Sequence, residues 1–133
     1  MIIDGKDHIL GRLASFVAKA LLEGEDIVVV NSKDIVVTGG TTFDEILEKV
    51  QRGDPHHGPF YPKRPDRIFK RVVRGMLPYR KEKGKKAFKR LRVYIGVPDE
   101  LAKMEKVIIK DAHLTRSRAT NLARLEEVSN YIT

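Results

Sequence analysis

The sequence predicts an α/β fold with a small, mainly parallel sheet and a basic helical arm. Two observations carry the α/β part. Short β-branched runs at 27–30, 35–38 and 93–97 alternate with segments whose apolar residues recur at helical spacing. Strand, helix, strand, then strand and helix again is the order of a parallel sheet with crossover helices. The third observation is a charge segregation that predicts the arm. Residues 63–92 hold 14 Lys or Arg against 2 acids, whereas residues 1–62 carry a net −4, residues 93–133 are neutral, and the chain as a whole is +8.

Taken in order, Met1–Asp4 is a short apolar strand ended by Gly5. Asp7 is expected to cap a helix from about His8 to Leu22, with Ile9, Leu10, Leu13, Phe16, Val17, Ala20 and Leu21 as its buried stripe and Gly24 as its C′ stop. The continuous β-branched run Ile27–Val30 reads as a strand buried on both faces. Asn31–Asp34 reads as a turn, and Ile35–Thr38 as a strand broken by Gly39-Gly40. Thr42-x-x-Glu45 is a capping box for a helix that buries Phe43, Ile46, Leu47 and Val50 and stops at Gly53. Residues 54–65 contain four of the six prolines, which predicts a stiff, extended connection.

The arm follows. Asp66 is expected to cap a helix that Pro78 ends at or just before Leu77. Ile68, Phe69, Val72, Val73, Met76 and Leu77 form one apolar stripe, and Arg67, Lys70, Arg71 and Arg74 fall on the other side. One face would dock on the body and the other present cations, with few acidic partners at i,i+4 to neutralise them. Gly84 would precede a second short helix, with Ala87, Phe88 and Leu91 apolar and Lys85, Lys86, Lys89 and Arg90 polar; Tyr79, Arg80, Lys81 and Lys83 lie in the connection. Beyond the arm, Val93–Val97 reads as a strand stopped by Pro98, 99–104 as a helical turn, 107–109 as a short strand and 122–132 as a closing helix.

A chain of 133 residues with 41% hydrophobic residues is expected to fold as one domain, with the arm of residues 54–92 inserted in the α/β body. There is no apolar run near the ~20 residues that span a bilayer. The start, MIIDGKDHIL, does not read as a signal peptide. Without cysteine there is no disulfide, thiolate zinc site or cysteine nucleophile, which fits a cytoplasmic protein. A pI near 9.8 fits a nucleic-acid binder. An anionic membrane surface is the weaker alternative, because the arm lacks Trp and needs its apolar face for packing.

His56-His57 lacks the third ligand and the Cys that a zinc site needs, so no metal is expected; with Tyr61 nearby, stacking or hydrogen bonding to RNA is favoured. Thr38-Gly-Gly-Thr-Thr42 has neither P-loop spacing nor GxGxxG, and reads as a tight turn before a helix. Asp4 and Asp7 invite a magnesium-dependent hydrolase reading, but no catalytic constellation assembles around them. Arg12, on the polar face of the first helix with Ser15 and Lys19, is a secondary candidate for an RNA contact.

With these residues in view, the chain resembles the large-subunit ribosomal protein thirteen family, in its archaeal and eukaryotic branch. DGKDHILGRLAS (4–15) and VVVNSKDIVVTG (28–39) resemble its opening unit; RGMLP (74–78) and VYIGVP (93–98) are the most specific matches, and LARLEEVSNYI (122–132) matches more loosely. The resemblance implies a three-layer α/β/α domain and a non-enzymatic structural protein on large-subunit ribosomal RNA, beside other ribosomal proteins. No cofactor, small-molecule substrate or membrane is implied. It also implies RNA contacts at Arg12, Lys63, Arg64, Arg67, Arg71, Arg74, Arg80, Lys81 and Lys85, to which the charge pattern adds Lys70, Lys83, Lys86 and Lys89. The rival readings are an RNA-processing enzyme using Asp4 and Asp7, and a free regulatory RNA-binding module.

Overall fold

The computed structural model describes residues 1–38, 64–113 and 122–132. Strands β1 (Ile2–Asp4), β2 (Ile27–Val30) and β4 (Leu91–Val93) form a parallel sheet in the order β1-β2-β4. Val107 adds a single parallel bridge outside β1, through hydrogen bonds from Asp4 N–H to Val107 O at 3.1 Å and from Val107 N–H to Ile2 O at 2.8 Å. A second, antiparallel pair joins β3 (Val36–Thr38) to β5 (Leu122–Arg124). Helix α1 (Leu10–Leu22) packs on α2 (Pro65–Met76) and α3 (Glu82–Lys89), and α4 (Leu125–Ile132) packs on α2. The α/β class is as the sequence predicts. The helix expected over 42–53 and the loop over 54–63 lie outside the described residues, and the three-layer arrangement remains an expectation.

The core is one cluster. Leu13, Val17 and Leu21 of α1, Ile27 and Val29 of β2, Ile68, Phe69 and Val73 of α2, Ile35, and Leu125 and Val128 of α4 are all fully buried. Gly24 ends α1 at φ 99°, a conformation that glycine reaches without steric cost.

Local details depart from the expectations where backbone hydrogen bonds outvote side-chain propensity. Asp7 does not cap α1, which begins at Leu10 with Ile9 in the cap position and no side-chain cap. Instead Asp7 sits at φ 62°, donates its N–H to Asp34 O at 3.2 Å and pairs its carboxylate with Arg124 at 2.8 Å. Asp66 lies within the first turn of α2, because Arg64 takes the cap position and Pro65 the first helical position, where its missing N–H costs nothing. Gly84 lies inside α3 rather than before it. β4 starts at Leu91, two residues early; past Tyr94 the chain leaves the ladder because the carbonyls of residues 94–96 accept from Ser32, Lys33 and Asn31. Residues 122–124, expected as helix, pair as β5, and α4 begins only at Leu125.

Candidate nucleic-acid interface

The arm is built on two short helices and the corner between them. α2 buries Ile68, Phe69 and Val73 and half-buries Val72 against α1 and β4. Leu77 leaves the helix in extended conformation, as the residue before a proline must, and returns its side chain to the core. Met76, expected on the buried stripe, is 45% exposed, while Val73 and Leu77 on either side of it are buried. The corner Pro78–Lys81 is closed by a hydrogen bond from Lys81 N–H to Pro78 O at 2.9 Å. α3 then crosses close over it. A Cβ on Gly84 would lie 2.0 Å from Pro78 O, so only glycine permits this approach.

The helix faces sort the cations. Arg64, Arg67, Arg80, Lys81, Lys83, Lys85, Lys86 and Lys89 are exposed; Lys70, Arg71 and Arg74 are half-buried. The exposed Arg64 guanidinium lies 3.5 Å from the half-buried Asp66 carboxylate. Lys70 Nζ sits 5.6 Å from the centre of the Phe88 ring and so ties α2 to α3. Arg74 stacks over Tyr79 at 4.4 Å. The Arg80 guanidinium, hydrogen-bonded to the Tyr79 hydroxyl, and then Arg74 hold that phenol below its usual pKa. Besides Asp66, the only acid among the described residues of the arm is Glu82.

Two cations of the run were not among the expected RNA contacts, and Arg90, expected on the polar side of the second helix, is corrected by the structure. Arg90 is turned inward: its Nη1 donates to Leu21 O at 2.7 Å and so closes the C-terminal end of α1. Arg92 is exposed on β4, between buried Leu91 and Val93. Alternation in the strand would have found Arg92; nothing local marks Arg90. Arg12 is exposed on α1, beside Gly11, Ser15, Phe16, Ile109 and Ala112 in a shallow groove apart from the arm. His56, His57, Tyr61 and Lys63 lie outside the described residues.

The two acids of the hydrolase reading are occupied by structural contacts. Asp4 Oδ1 accepts from Lys6 N–H at 3.1 Å and Asn31 Nδ2 at 3.0 Å, and Asp7 holds Arg124. Among the described residues no group of three or more potential ligands is arranged to hold a metal, and no helix is long and apolar enough to cross a membrane.

Fold and site together define a class: a small α/β protein that carries, among its described residues, a cationic corner pinned to its core. Comparison with known proteins makes this specific. Residues 1–100 match the family described as ribosomal protein L13. The large ribosomal subunit protein uL13 of Methanopyrus kandleri is 52% identical over 86% of this chain and 75% of its own length. That of Archaeoglobus fulgidus is 48% identical over 98% of this chain and 86% of its own, and that of Methanosarcina barkeri 48% over 96% and 94%. The chain belongs to the ribosomal protein L13 family, whose members are structural ribosomal proteins not known for enzymatic activity.

Proposed function

We propose that this protein is a structural constituent of the large ribosomal subunit, in the cytoplasm, that binds and stabilises folded ribosomal RNA during assembly and in the mature particle. The observation that carries the reading is the arm: cations displayed on two helices and their corner, with Asp66 and Glu82 the only acids among its described residues. Each such cation that meets a phosphate releases condensed counterions, which gives affinity without demanding a sequence. Family membership supports large-subunit RNA and neighbouring ribosomal proteins as the partners. Within this reading the chain acts as one domain, Arg12 makes a secondary contact, and His56, His57 and Tyr61 offer base contacts from the proline-rich segment while Lys63 adds charge.

A salt titration on a large-subunit RNA fragment tests it. If about six to eight cations meet phosphates, log K against log[salt] falls with a slope of roughly −4 to −7. A flat dependence, with binding no tighter at low salt, would remove RNA as the arm's partner.

A further inference from the structure

The end of α2 carries three features that the core does not explain. First, Gly75 is exposed within the helix, and a Cβ there would meet nothing within 4 Å. Gly75 is the penultimate residue of α2 and is not in the left-handed conformation of a helix stop, so the fold asks for no glycine at this position, where alanine would favour the helix more. Glycine at such a place lets another backbone come close to the helix. Second, Met76 is 45% exposed although it falls on the apolar stripe and its successor Leu77 is buried. Third, Tyr79 is 36% exposed and its ring stacks under Arg74 at 4.4 Å. Its phenol lies beside the guanidinium groups of Arg80 and Arg74, which can only donate, so its oxygen is the acceptor toward both and neither arginine uses its O–H.

Gly75, Met76 and Tyr79 thus form a ledge with an apolar and a hydrogen-bonding part, bordered by Arg71, Arg74 and Arg80. A phosphate surface alone would need neither the methionine nor the glycine. A-form RNA offers a surface that uses all of them: a wide, shallow minor groove that displays ribose rings and 2′-hydroxyls between two rows of phosphates. We propose that this ledge seats the minor groove of double-helical RNA, with Gly75 admitting the sugar–phosphate backbone, Met76 packing on ribose and Tyr79 donating to a 2′-hydroxyl. The site rests on the RNA-binding reading above and assigns to it the contact that distinguishes RNA from DNA.

The test uses the full chain, a short RNA duplex and the DNA duplex of the same sequence. Gly75→Leu adds a side chain where the protein has space, and raises helix propensity, so its melting temperature should be unchanged or higher. Its affinity for the RNA duplex should nevertheless fall about tenfold, as close approach is lost. Tyr79→Phe keeps the ring under Arg74 and removes the donor. It should weaken RNA duplex binding about three- to tenfold, the worth of one hydrogen bond, and leave DNA duplex binding and the salt slope as they were. Wild-type binding to RNA with no loss in either variant would overturn the ledge and leave the arm's phosphate contacts standing. Equal loss on RNA and DNA in Tyr79→Phe would assign Tyr79 to positioning Arg74 rather than to the 2′-hydroxyl. Absence of wild-type RNA binding would overturn both readings. Met76→Ser provides a further check: if it lowers affinity for a ribosomal protein but not for RNA, the ledge faces protein.

Discussion

His8 is the clearest case of a single residue whose role follows from its surroundings. It is fully buried, Nδ1 donates to Lys6 O at 3.1 Å, and Nε2 accepts from Ile109 N–H at 2.9 Å. Both ring nitrogens are committed, which fixes one neutral tautomer and ties residues 6–8 to the segment that carries Val107. Its ring meets His113 edge-on at 5.3 Å. Burial, first, and the neighbouring His113 lower its pKa below 6.5. The unfolded chain therefore takes up a proton at a higher pH than the folded one. Stability from this residue is complete above about pH 6.5 and is lost as pH falls from there toward the folded value. NMR titration of the His8 ring should show a midpoint below 6.5; a midpoint above it would mean that the ring is charged in the fold. Gly84 makes the second prediction. Alanine would gain up to ~1 kcal/mol of helix propensity, but its Cβ would lie 2.0 Å from a backbone oxygen that cannot move aside cheaply. Overpacking of this kind costs about 1–3 kcal/mol, so Gly84→Ala should lower the denaturation midpoint.

At the scale of the element, α2 separates folding from function by face. Val73 is fully buried, and truncation of a core aliphatic to alanine costs about 2–4 kcal/mol, somewhat less for valine. Arg67 is exposed, so its removal should change stability by less than about 0.5 kcal/mol. Val73→Ala should therefore melt earlier and, while folded, bind RNA normally, whereas Arg67→Ala should melt normally and bind RNA less tightly. Paired melts and binding isotherms check this; an unstable arginine variant with a neutral valine variant would reverse the assignment of faces. Val72, although on the same stripe, is only half-buried and should cost less than Val73.

At the scale of the molecule, charge segregation sets how the parts behave together. Residues 1–62 carry a net −4 and residues 63–92 a net +12, so attraction to a polyanion is concentrated on the arm. Replacing Arg71 and Arg74 together should reduce the salt slope by about 1 to 2 and weaken binding to many structured RNAs almost equally. An undiminished slope in the double variant would mean that these two arginines face protein or solvent. Replacing His57 or Tyr61 should leave the slope alone and reduce discrimination for the cognate RNA, since neither carries a fixed charge.

The sequence by itself determined the α/β class, the position of the arm, a helix ending at Leu22 and another ended by Pro78, and that Ile68, Phe69, Val73 and Leu77 face the core. These follow from periodicity, proline and charge, all of which act over a few neighbouring residues. It also carried the family resemblance, through RGMLP and VYIGVP. Only the tertiary structure decided that Asp7 pairs with Arg124 across 117 positions, that Arg90 closes α1, and that residues 122–124 form a strand beside β3. It alone exposed Met76 and required glycine at 84 rather than merely permitting it. Those outcomes depend on which distant backbone supplies a hydrogen-bond partner or a wall, and no local pattern in the chain specifies how far away that partner lies.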